Sequence, residues 1–496
     1  MDSHSTTRHR HTILAIALIA TTATACSDDG FVEAAFVLLG ADSTPGSTFA
    51  EARVIVSGNN GICPTLKTGS ESVHMLRRNN PFGFVVDVCQ ARIAFDESYQ
   101  ISWNGQHLPT ARRDPQRLAV LGDSGCKEKT CADGTLAEPF QTIASQVAAL
   151  DPRPDVLLHV GDYNYRGTSS SLKFDNGTEV EVYDAGDNVP DDLECQLDGT
   201  YWSQNGAYIP ARNDNWEDWR DDFFLPAGDL LTTAPWIFAR GNHELCSRAG
   251  PGYFYFLDPT SDASNGGTGQ QSCPPQGGNT PFEDGALPHI ILKDPYTVDL
   301  GTLRVAVIDS ANACDNFAPE RMTQPYTDQL VQALAPASDG TPTWMLSHRP
   351  FVGAVTQDSG GNWTTLNPVL QIALRDALDQ SFDGSLPASL QMWVAGHMHT
   401  IQILTPIDAE AERRPQIVMG GSGVALAGDS PDGSFELVID EVDTDLLAIY
   451  QHGYLDVENY QADGSWNGSI IGTDGSTLAA CGSGNLPAPI CNGEGP

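Results

Sequence analysis

The sequence predicts an α/β fold, with a sheet flanked by helices, that is preceded by a small all-β domain. The first observation is the order of segments from Arg117 onward, where the apolar runs "RLAVLGD" and "DVLLHVGD" enclose the amphipathic segment "EPFQTIASQVAAL". Strand–helix–strand order of this kind is typical of a sheet that carries helices on its faces. The second observation is a series of short alternating segments within 51–112, such as "ARVIVSG" and "YQISWNG", which is typical of antiparallel strands.

Changes of composition along the chain indicate five regions. They are an export signal (1–26), a tether of small polar residues (27–50), the small β domain (51–112), the α/β domain (117–455) and a Gly-rich C-terminal tail (456–496). Long segments rich in Gly, Pro and Asn at 168–214 and 245–290 exceed simple connections and are interpreted as insertions. We expect disulfides between Cys63 and Cys89 and between Cys481 and Cys491.

The N-terminus has the pattern of a secretory signal. A basic "RHRH" at 8–11 precedes an apolar run at 13–20, which is shorter than the roughly 20 residues that span a bilayer. "ATA" before Cys26 suits ordinary signal-peptidase cleavage, but it also resembles a bacterial lipobox with Cys26 as the lipidated residue, although Ala23 replaces the usual leucine. Lipidation of Cys26 would leave ten of the 11 cysteines, an even number for disulfides, and is the favoured interpretation. The sequence thus predicts an extracytoplasmic protein, either a bacterial cell-envelope lipoprotein or a secreted one.

The chain is strongly acidic, with a formal net charge of −38 from 64 acidic and 26 basic residues. A protein without a basic surface gains nothing from displacing counterions on nucleic acid, and it is repelled by anionic membranes. Nucleic acid is therefore excluded as a partner, and a membrane is expected only through the lipid anchor. The sequence does not indicate an oligomeric state.

Five of the predicted strands end in side chains that can bind a metal. These residues are Asp123, Asp162, Asn242, His348, His397 and His399. Because ligands in α/β proteins bind beyond the carboxyl ends of strands, we expect the six side chains at one sheet edge. Each motif alone is an ordinary turn or core residue, but five in succession are difficult to obtain by chance. Mixed oxygen and imidazole ligands suit Zn, Fe or Mn better than Ca²⁺.

In this order, GD…GD…GNHE…H…GHMH, the motifs resemble those of the calcineurin-like metallophosphoesterases over residues 117–455. The resemblance implies a four-layer β-sandwich flanked by helices. The superfamily commonly opens with Asp-x-His, whereas "DSG" places Gly125 at the histidine position. Tyr165, three residues after Asp162, matches the purple acid phosphatase branch, in which this tyrosine binds the first iron as phenolate. On this view the missing histidine and the gained tyrosine explain one another. The alternative is that Tyr165 is only a buried packing residue. Tyr163 is interpreted as a packing residue.

The resemblance implies two metal sites bridged by Asp162 and a phosphoric ester substrate. The first site would use Asp123, Tyr165 and His399, and the second Asn242, His348 and His397. Family precedent makes the first ion Fe(III) and the second Fe(II), Zn or Mn. A metal-bound hydroxide would then attack the phosphorus of a small phosphoric monoester directly. His243 matches the histidine that stabilises the transition state or protonates the leaving group, and Glu244 is predicted to orient it.

The proton donor and the exact function remain open to alternatives. The family usually has further histidines soon after the one matched by His348, but none lies between His348 and His397, so Asp358 is a second candidate for a proton donor and a preference for acidic pH does not follow. The alternative functions are a Mn or Zn phosphodiesterase or nucleotide hydrolase of the same superfamily, and a surface binding protein without catalysis.

Overall fold

The structure is a computed structural model, and it describes most of the chain outside the N-terminus and the insertions. The described residues are 30–42, 47–126, 138–166, 172–173, 179–180, 214–245, 248–259, 270–273, 292–315, 318, 320–357, 363–365, 367–407, 413–427, 432–439, 442–483 and 490–493. Within these residues, no helix is both long enough and apolar enough to cross a membrane.

The strands of the described part follow the predicted apolar runs. In chain order they are β1 (Phe31–Ala41), β2 (Thr48–Ser57), β3 (Thr65–Thr68), β4 (Glu71–His74), β5 (Leu76–Arg77), β6 (Asp87–Ile93), β7 (Gln100–Ile101), β8 (Leu118–Leu121), β9 (Val156–His159), β10 (Leu172–Lys173), β11 (Glu179–Val180), β12 (Trp236–Phe238), β13 (Tyr296–Asp299), β14 (Arg304–Val307), β15 (Thr343–Leu346), β16 (Ala354–Gln357), β17 (Trp363–Thr365), β18 (Leu390–Ala395), β19 (Ile401–Pro406), β20 (Gln416–Met419), β21 (Gly433–Ile439), β22 (Val442–Ile449), β23 (Gly453–Glu458), β24 (Asn467–Gly472), β25 (Thr477–Gly482) and β26 (Cys491–Gly493).

The α-helices of the same residues include three long ones and three single turns. They are α1 (Glu138–Ala148), α2 (Trp216–Trp219), α3 (Leu225–Ala227), α4 (Gly250–Gly252), α5 (Glu320–Leu334) and α6 (Pro368–Ser381). Tighter or wider helical turns continue α2 through Arg220–Phe224 and α3 through Gly228–Thr232. In α1 the buried residues Phe140, Ile143, Ala144 and Val147 recur at helical spacing, so one apolar stripe packs on the sheet.

Two large sheets contain most of the strands. The first has the order β26-β25-β24-β23-β8-β9-β12-β1-β2-β6-β5, and the second has the order β13-β14-β15-β18-β20-β19-β22-β21. Neighbours run parallel from β8 through β9 and β12 to β1. They also run parallel from β14 through β15 and β18 to β20. The parallel strands of each sheet therefore point their carboxyl ends in one direction.

The sheets form the inner layers of a four-layer sandwich, as the resemblance implied. One core cluster contains Val120 and Leu158 of the first sheet together with Leu346 and Val394 of the second, so it lies between the sheets. The outer face of the first sheet packs against α1 and the segment 216–232. The outer face of the second packs against α5 and α6. Both faces of the central strands are buried, which explains their continuous apolar sequences.

The N-terminal region is all-β over strands 31–101, as predicted, but its long strands belong to the first sheet. The expected tether of 27–50 instead contains β1, which lies between β2 and β12. β2, β5 and β6 continue that sheet, while β3, β4 and β7 form a separate three-stranded one. The predicted tail also adds strands β24, β25 and β26 beyond β23. The physical reason is that β12 and β23 would otherwise leave unpaired strand edges.

The disulfides predicted at the two ends of the described chain are present, joining Cys63 to Cys89 and Cys481 to Cys491. Cys126, Cys273 and Cys314 are also disulfide-bonded. Cys26, Cys131, Cys195 and Cys246 lie outside the described residues, as do Asp358 and most of the two predicted insertions.

Candidate metal centre

The five predicted strand ends meet at one end of the molecule. They belong to two facing sheets rather than to one sheet edge: β8, β9 and β12 come from the first sheet, and β15 and β18 from the second. Sequence periodicity locates each strand end but not the sheet that contains it, which is why a single edge was expected. The site therefore lies between the sheets, at the carboxyl ends of both parallel sets.

The first cluster surrounds the hydroxyl group of Tyr165. This oxygen lies 3.2 Å from Asp123 Oδ1, 3.0 Å from Asp162 Oδ2 and 3.2 Å from His399 Nε2. Both carboxylates and the tyrosine are buried, while His399 is half-buried at the open side. Oxygen and nitrogen atoms of Asp123, Asp162 and His399 all lie within 4.8 Å of one another. A phenol has only one proton, so it cannot donate to three acceptors at once.

The second cluster surrounds the amide oxygen of Asn242. His348 Nε2 lies 2.8 Å and His397 Nδ1 lies 2.9 Å from Asn242 Oδ1. Asp162 Oδ1 is 3.3 Å from His348 Nε2, so the same carboxylate faces both clusters. Opposite the cluster, His348 Nδ1 lies 2.9 Å from the carbonyl oxygen of Val160 and donates its proton there. The Nε2 lone pair of His348 is then directed at Asn242.

His397 is oriented in the same manner by a carboxylate. Its Nε2 lies 3.0 Å from Asp315 Oδ2, and Asp315 is ion-paired with buried Arg349. Arg349 Nη1 is also 3.1 Å from His397 Nε2. We assign the imidazole proton to the carboxylate, because an N–H bond to an anion is the stronger interaction. His397 Nδ1 is then unprotonated and faces Asn242.

These donor sets fit cations and fit poorly without them. In the second cluster the lone pairs of one amide oxygen and two imidazole nitrogens converge on one point. Burial lowers the pKa of His348, yet the Asp162 carboxylate outweighs it and raises this pKa to about 9, so the environment favours positive charge at this position. In the first cluster, burial raises the pKa of Asp123 to about 7, and Asp162 adds to the shift. Burial likewise raises the pKa of the Tyr165 phenol well above its usual value.

Four of these residues have a left-handed backbone, which non-glycine residues seldom adopt. The φ angles are 54° at Asp123, 60° at Asp162, 75° at His397 and 49° at His399. Each such residue costs of the order of 1–3 kcal/mol and persists only where the surroundings fix it. Their concentration at the turns that follow β8, β9 and β18 is typical of a functional site.

Two glycines of the motifs are required by close packing. A Cβ atom at Gly125 would lie 2.5 Å from Tyr165 Cδ2 and 2.7 Å from the carbonyl oxygen of Tyr163. A histidine at 125 and the tyrosine at 165 therefore exclude one another in this backbone, which gives a steric reason for their exchange. At Gly241 a Cβ atom would lie 2.1 Å from Asp162 Oδ1. The first position of "GNH" must therefore be glycine if the Asp162 carboxylate is to approach the backbone there.

Glu244 has a different task from the predicted one. Its Oε2 accepts the backbone N–H groups of Asp162 at 3.0 Å and Gly241 at 3.1 Å. Its Oε1 accepts those of Tyr163 at 2.9 Å and Asn164 at 3.2 Å. Four N–H donors use the available lone pairs of both carboxylate oxygens. Glu244 therefore holds the turn that carries Asp162 against the turn that carries Asn242, instead of orienting His243.

His243 lies at the edge of the first cluster. Its ring centroid is 3.9 Å from that of Tyr165, and its backbone N–H donates to Asp162 Oδ1 at 2.9 Å. Tyr163 is packing, as interpreted from the sequence: it is fully buried, and its hydroxyl donates to the carbonyl oxygen of Ala239 at 2.7 Å.

The family model of the calcineurin-like phosphoesterases matches residues 116–400, more than half of the chain. The chain belongs to this family. It is thus a metallophosphoesterase, and members of its family normally bind two metal ions. No curated protein matches the sequence.

Two solved structures resemble the metallophosphoesterase at low sequence identity. One is the purple acid phosphatase PPD1 from yellow lupin (Lupinus luteus), with 13% identity, a TM-score of 0.49, and coverage of 89% of this chain and 72% of that one. The other is PhoD, with 10% identity, a TM-score of 0.46, and coverage of 91% and 90%.

Sequence reasoning missed several residues that position the metallophosphoesterase site. Ser310, three residues after the end of β14, accepts the backbone N–H groups of His348 at 3.0 Å and Arg349 at 2.8 Å. Asp222 accepts the backbone N–H of Tyr165 at 2.9 Å. Ser310 stands at the end of a predicted strand in "VAVIDS", and Arg349 follows His348 in "SHRP". Both residues could therefore have been identified from the local sequence. Asp222 and Asp315 had none, because only the tertiary fold brings them to the site.

Asp315→Asn is expected to weaken metal binding by about 10–100-fold, as is common when the partner of a ligating histidine is lost. The amide cannot hold the His397 N–H and the Arg349 guanidinium as a carboxylate does. Metal content after dialysis at graded free metal concentrations measures the change. The matched control is Asp339→Asn, which removes a carboxylate paired with Arg304 away from the site. Equal metal retention in both variants would contradict this role.

His159, just before the second motif, gives a pH-dependent stability. Burial, with a smaller effect of His348, lowers its pKa from 6.5 to about 3. The unfolded chain then binds a proton between these values that the folded chain does not, so stability present above pH 6.5 is lost as the pH falls towards 3. The expected loss is about 1.4 kcal/mol per pH unit from this group. Denaturant unfolding at several pH values should show a shallower dependence in His159→Gln, whereas exposed His74→Gln should match the unaltered chain.

Proposed function

We propose that this metallophosphoesterase is an exported binuclear hydrolase of phosphoric monoesters of the purple acid phosphatase type. Asp123, Tyr165 and His399 would hold the first metal, and Asn242, His348 and His397 the second, with Asp162 between them. A hard ferric ion suits the carboxylate and phenolate of the first cluster, and Fe(II), Zn or Mn suits the amide and imidazoles of the second. The substrate would be a small phosphorylated molecule.

The observation that carries this proposal is the convergence of the Tyr165 hydroxyl on Asp123, Asp162 and His399, at distances of 3.0–3.2 Å. A tyrosine that only packs would bury its ring and satisfy its hydroxyl with backbone carbonyl oxygens, as Tyr163 does with those of Ala239 and His159. Gly125 supports the same conclusion, because the absence of its side chain provides the space for the Tyr165 ring.

Two cations in these clusters would supply Lewis acidity towards the phosphate oxygens and an activated water for in-line displacement. The residues around them keep the donors in place. Glu244 fixes the turns that carry Asp162 and Asn242. The carbonyl group of Val160 sets the tautomer of His348, and Asp315 sets that of His397. The ring of Tyr165 supports the ring of His243. His243 is buried, with only 5% of its surface exposed, beside the first cluster, and its imidazole would stabilise the transition state or protonate the leaving oxygen.

Export is part of the proposal and is supported by the cysteines. Every cysteine in the described part of the chain is disulfide-bonded, and disulfides of this number are typical of oxidising, extracytoplasmic compartments. A lipid anchor at Cys26 of the bacterial cell envelope would explain the lipobox-like sequence in front of it.

The visible spectrum of the air-oxidised protein, with an elemental metal count, tests the metal assignment. We expect a broad charge-transfer band and about one iron or more per chain, because a phenolate bound to Fe(III) absorbs visible light. Tyr165→Phe should abolish the band. Tyr163→Phe is the matched control and should keep it, because the hydroxyl of Tyr163 bonds to a backbone carbonyl oxygen.

A colourless protein that holds two Zn or Mn ions would contradict the purple acid phosphatase type. It would demote Tyr165 to packing and favour the phosphodiesterase or nucleotide hydrolase alternative. Metal-replete protein that hydrolyses no aryl phosphate monoester or diester would instead favour the non-catalytic binding protein.

A further inference from the structure

One end of the first sheet carries an unusual number of exposed apolar side chains. Phe31 is 75% exposed, Val85 73%, Ile62 52% and Leu76 46%. Phe31, Ile62 and Val85 are together called the apolar edge below. A single exposed apolar residue needs no explanation, but a group at one end of a sheet often marks an interaction surface.

Strand register and chain position bring Phe31, Ile62 and Val85 to the same end. Phe31 pairs with Ser57 at the end of β2, and Val56 pairs with Asp87 at the start of β6. Ile62 lies in the turn after β2, and Val85 lies two residues before β6. Leu76 lies in β5 and pairs with Gln90 in the middle of β6, farther along the sheet.

The loop that carries Ile62 is held firmly in place. Asn59 Nδ2 donates to the carbonyl oxygen of Ile62 at 2.8 Å and to Asp87 Oδ2 at 3.0 Å. The disulfide from Cys63 to Cys89 joins the residue after Ile62 to β6. Ile62 is thus presented by a turn that is cross-linked to the sheet.

The position of the chain's N-terminal segment identifies what covers this edge. Phe31 follows Cys26 by five residues, which span at most about 17 Å when fully extended. If Cys26 carries a lipid, Phe31 lies within that distance of the headgroups. The candidate metal centre faces away, because β1 runs parallel to β12, with Leu38 opposite Trp236. Phe31 precedes Leu38 by seven residues, or about 23 Å in the direction opposite to the site.

We propose that the apolar edge rests on the surface of the bilayer that holds the Cys26 lipid, with the metal centre directed away from the membrane. This proposal rests on the lipid anchor and is independent of the proposed catalysis. The net charge of −38 disfavours an anionic surface, so the expected surface is zwitterionic. Partial insertion of Phe31, Ile62 and Val85 would remove their side chains from water.

Hydrogen exchange of the acylated full-length mature protein in phosphatidylcholine vesicles tests the proposal. Amides of residues 58–62 and 83–86 should exchange at least about tenfold more slowly than in soluble Cys26→Ser protein. The variant Phe31→Ser/Ile62→Ser/Val85→Ser, acylated in the same way, should lose this protection. The control Val438→Ser changes an apolar side chain that is 64% exposed on β21 and should retain it.

Three outcomes would overturn the proposal. The first is a mass spectrum that shows no acyl group on Cys26. The second is equal exchange of these amides on and off vesicles. The third is protection of the same amides in Cys26→Ser protein, without vesicles, that increases with protein concentration. That result would assign the apolar edge to contact with a second copy of the chain. Phosphatase activity does not enter any of these measurements, so failure of the catalytic proposal would leave them unaffected.

Discussion

Asp162→Asn is expected to lower kcat/KM for an aryl phosphate by at least about 10²–10³-fold and to reduce the bound metal below two per chain. The Asp162 carboxylate faces both clusters, since its Oδ2 lies 3.0 Å from the Tyr165 hydroxyl and its Oδ1 lies 3.3 Å from His348 Nε2. An amide of the same size presents one oxygen and one N–H group, and the N–H group repels a cation. Either the first or the second metal must then lose a ligand.

Steady-state kinetics and metal analysis of the same preparation measure both effects. Asp328→Asn is the control, because it makes the same change on the exposed face of α5. Full metal content with normal activity in Asp162→Asn would contradict the bridging role. Loss of secondary structure in this variant would be recognised by circular dichroism and separated from loss of metal.

His243→Gln is expected to lower kcat by about 10²–10⁴-fold for a substrate with a poor leaving group, the usual contribution of a general acid. For p-nitrophenyl phosphate the loss should be much smaller, because a good leaving group departs without a proton. The imidazole packs on Tyr165, with 3.9 Å between the ring centroids, so the variant should keep the metals while it loses proton transfer.

The comparison of alkyl and aryl phosphates therefore distinguishes the two roles that the family resemblance leaves open for His243. Equal losses for both substrates would assign it to transition-state stabilisation instead of leaving-group protonation. His107→Gln, an exposed histidine of the N-terminal region, should change neither rate. Unchanged alkyl phosphate hydrolysis in His243→Gln would exclude both roles and would favour a donor such as Asp358.

Much of the candidate site could be predicted because its chemistry is encoded locally. The turns "GD", "GNH" and "GHMH" each combine a glycine with one or two donors after an apolar strand, and "SH" supplies His348 after another strand. The structure brings all six donors, with Tyr165, into two adjoining clusters. The sequence also shows that Gly125 replaces the histidine common in the superfamily and that Tyr165 is present. A side chain at position 125 would collide with the Tyr165 ring, which explains why the two features occur together.

The roles of the supporting residues could not be predicted, because they depend on pairs that are distant in sequence. Glu244 adjoins His243 in the chain, yet its carboxylate binds backbone amides near Asp162, 82 residues away. Asp315 meets His397 across 82 residues, without a motif to indicate it. β1 lies in the segment that composition alone suggested was a tether. This strand was not predicted, because only the unpaired edge of β12 shows where a strand is needed.

The sequence by itself determined the donor atoms, their order along the chain and the class of chemistry that they support, because these depend on residue type and on short-range turn geometry. Only the tertiary structure decided that the donors come from two facing sheets and that Asp162 faces both clusters. It also decided which carboxylates face the clusters and which hold the surrounding loops. The physical reason is that burial and sheet pairing are set by the free energy of the whole chain: the backbone N–H of His397 meets the carboxylate of Asp123 over 274 residues, a separation that no local pattern records.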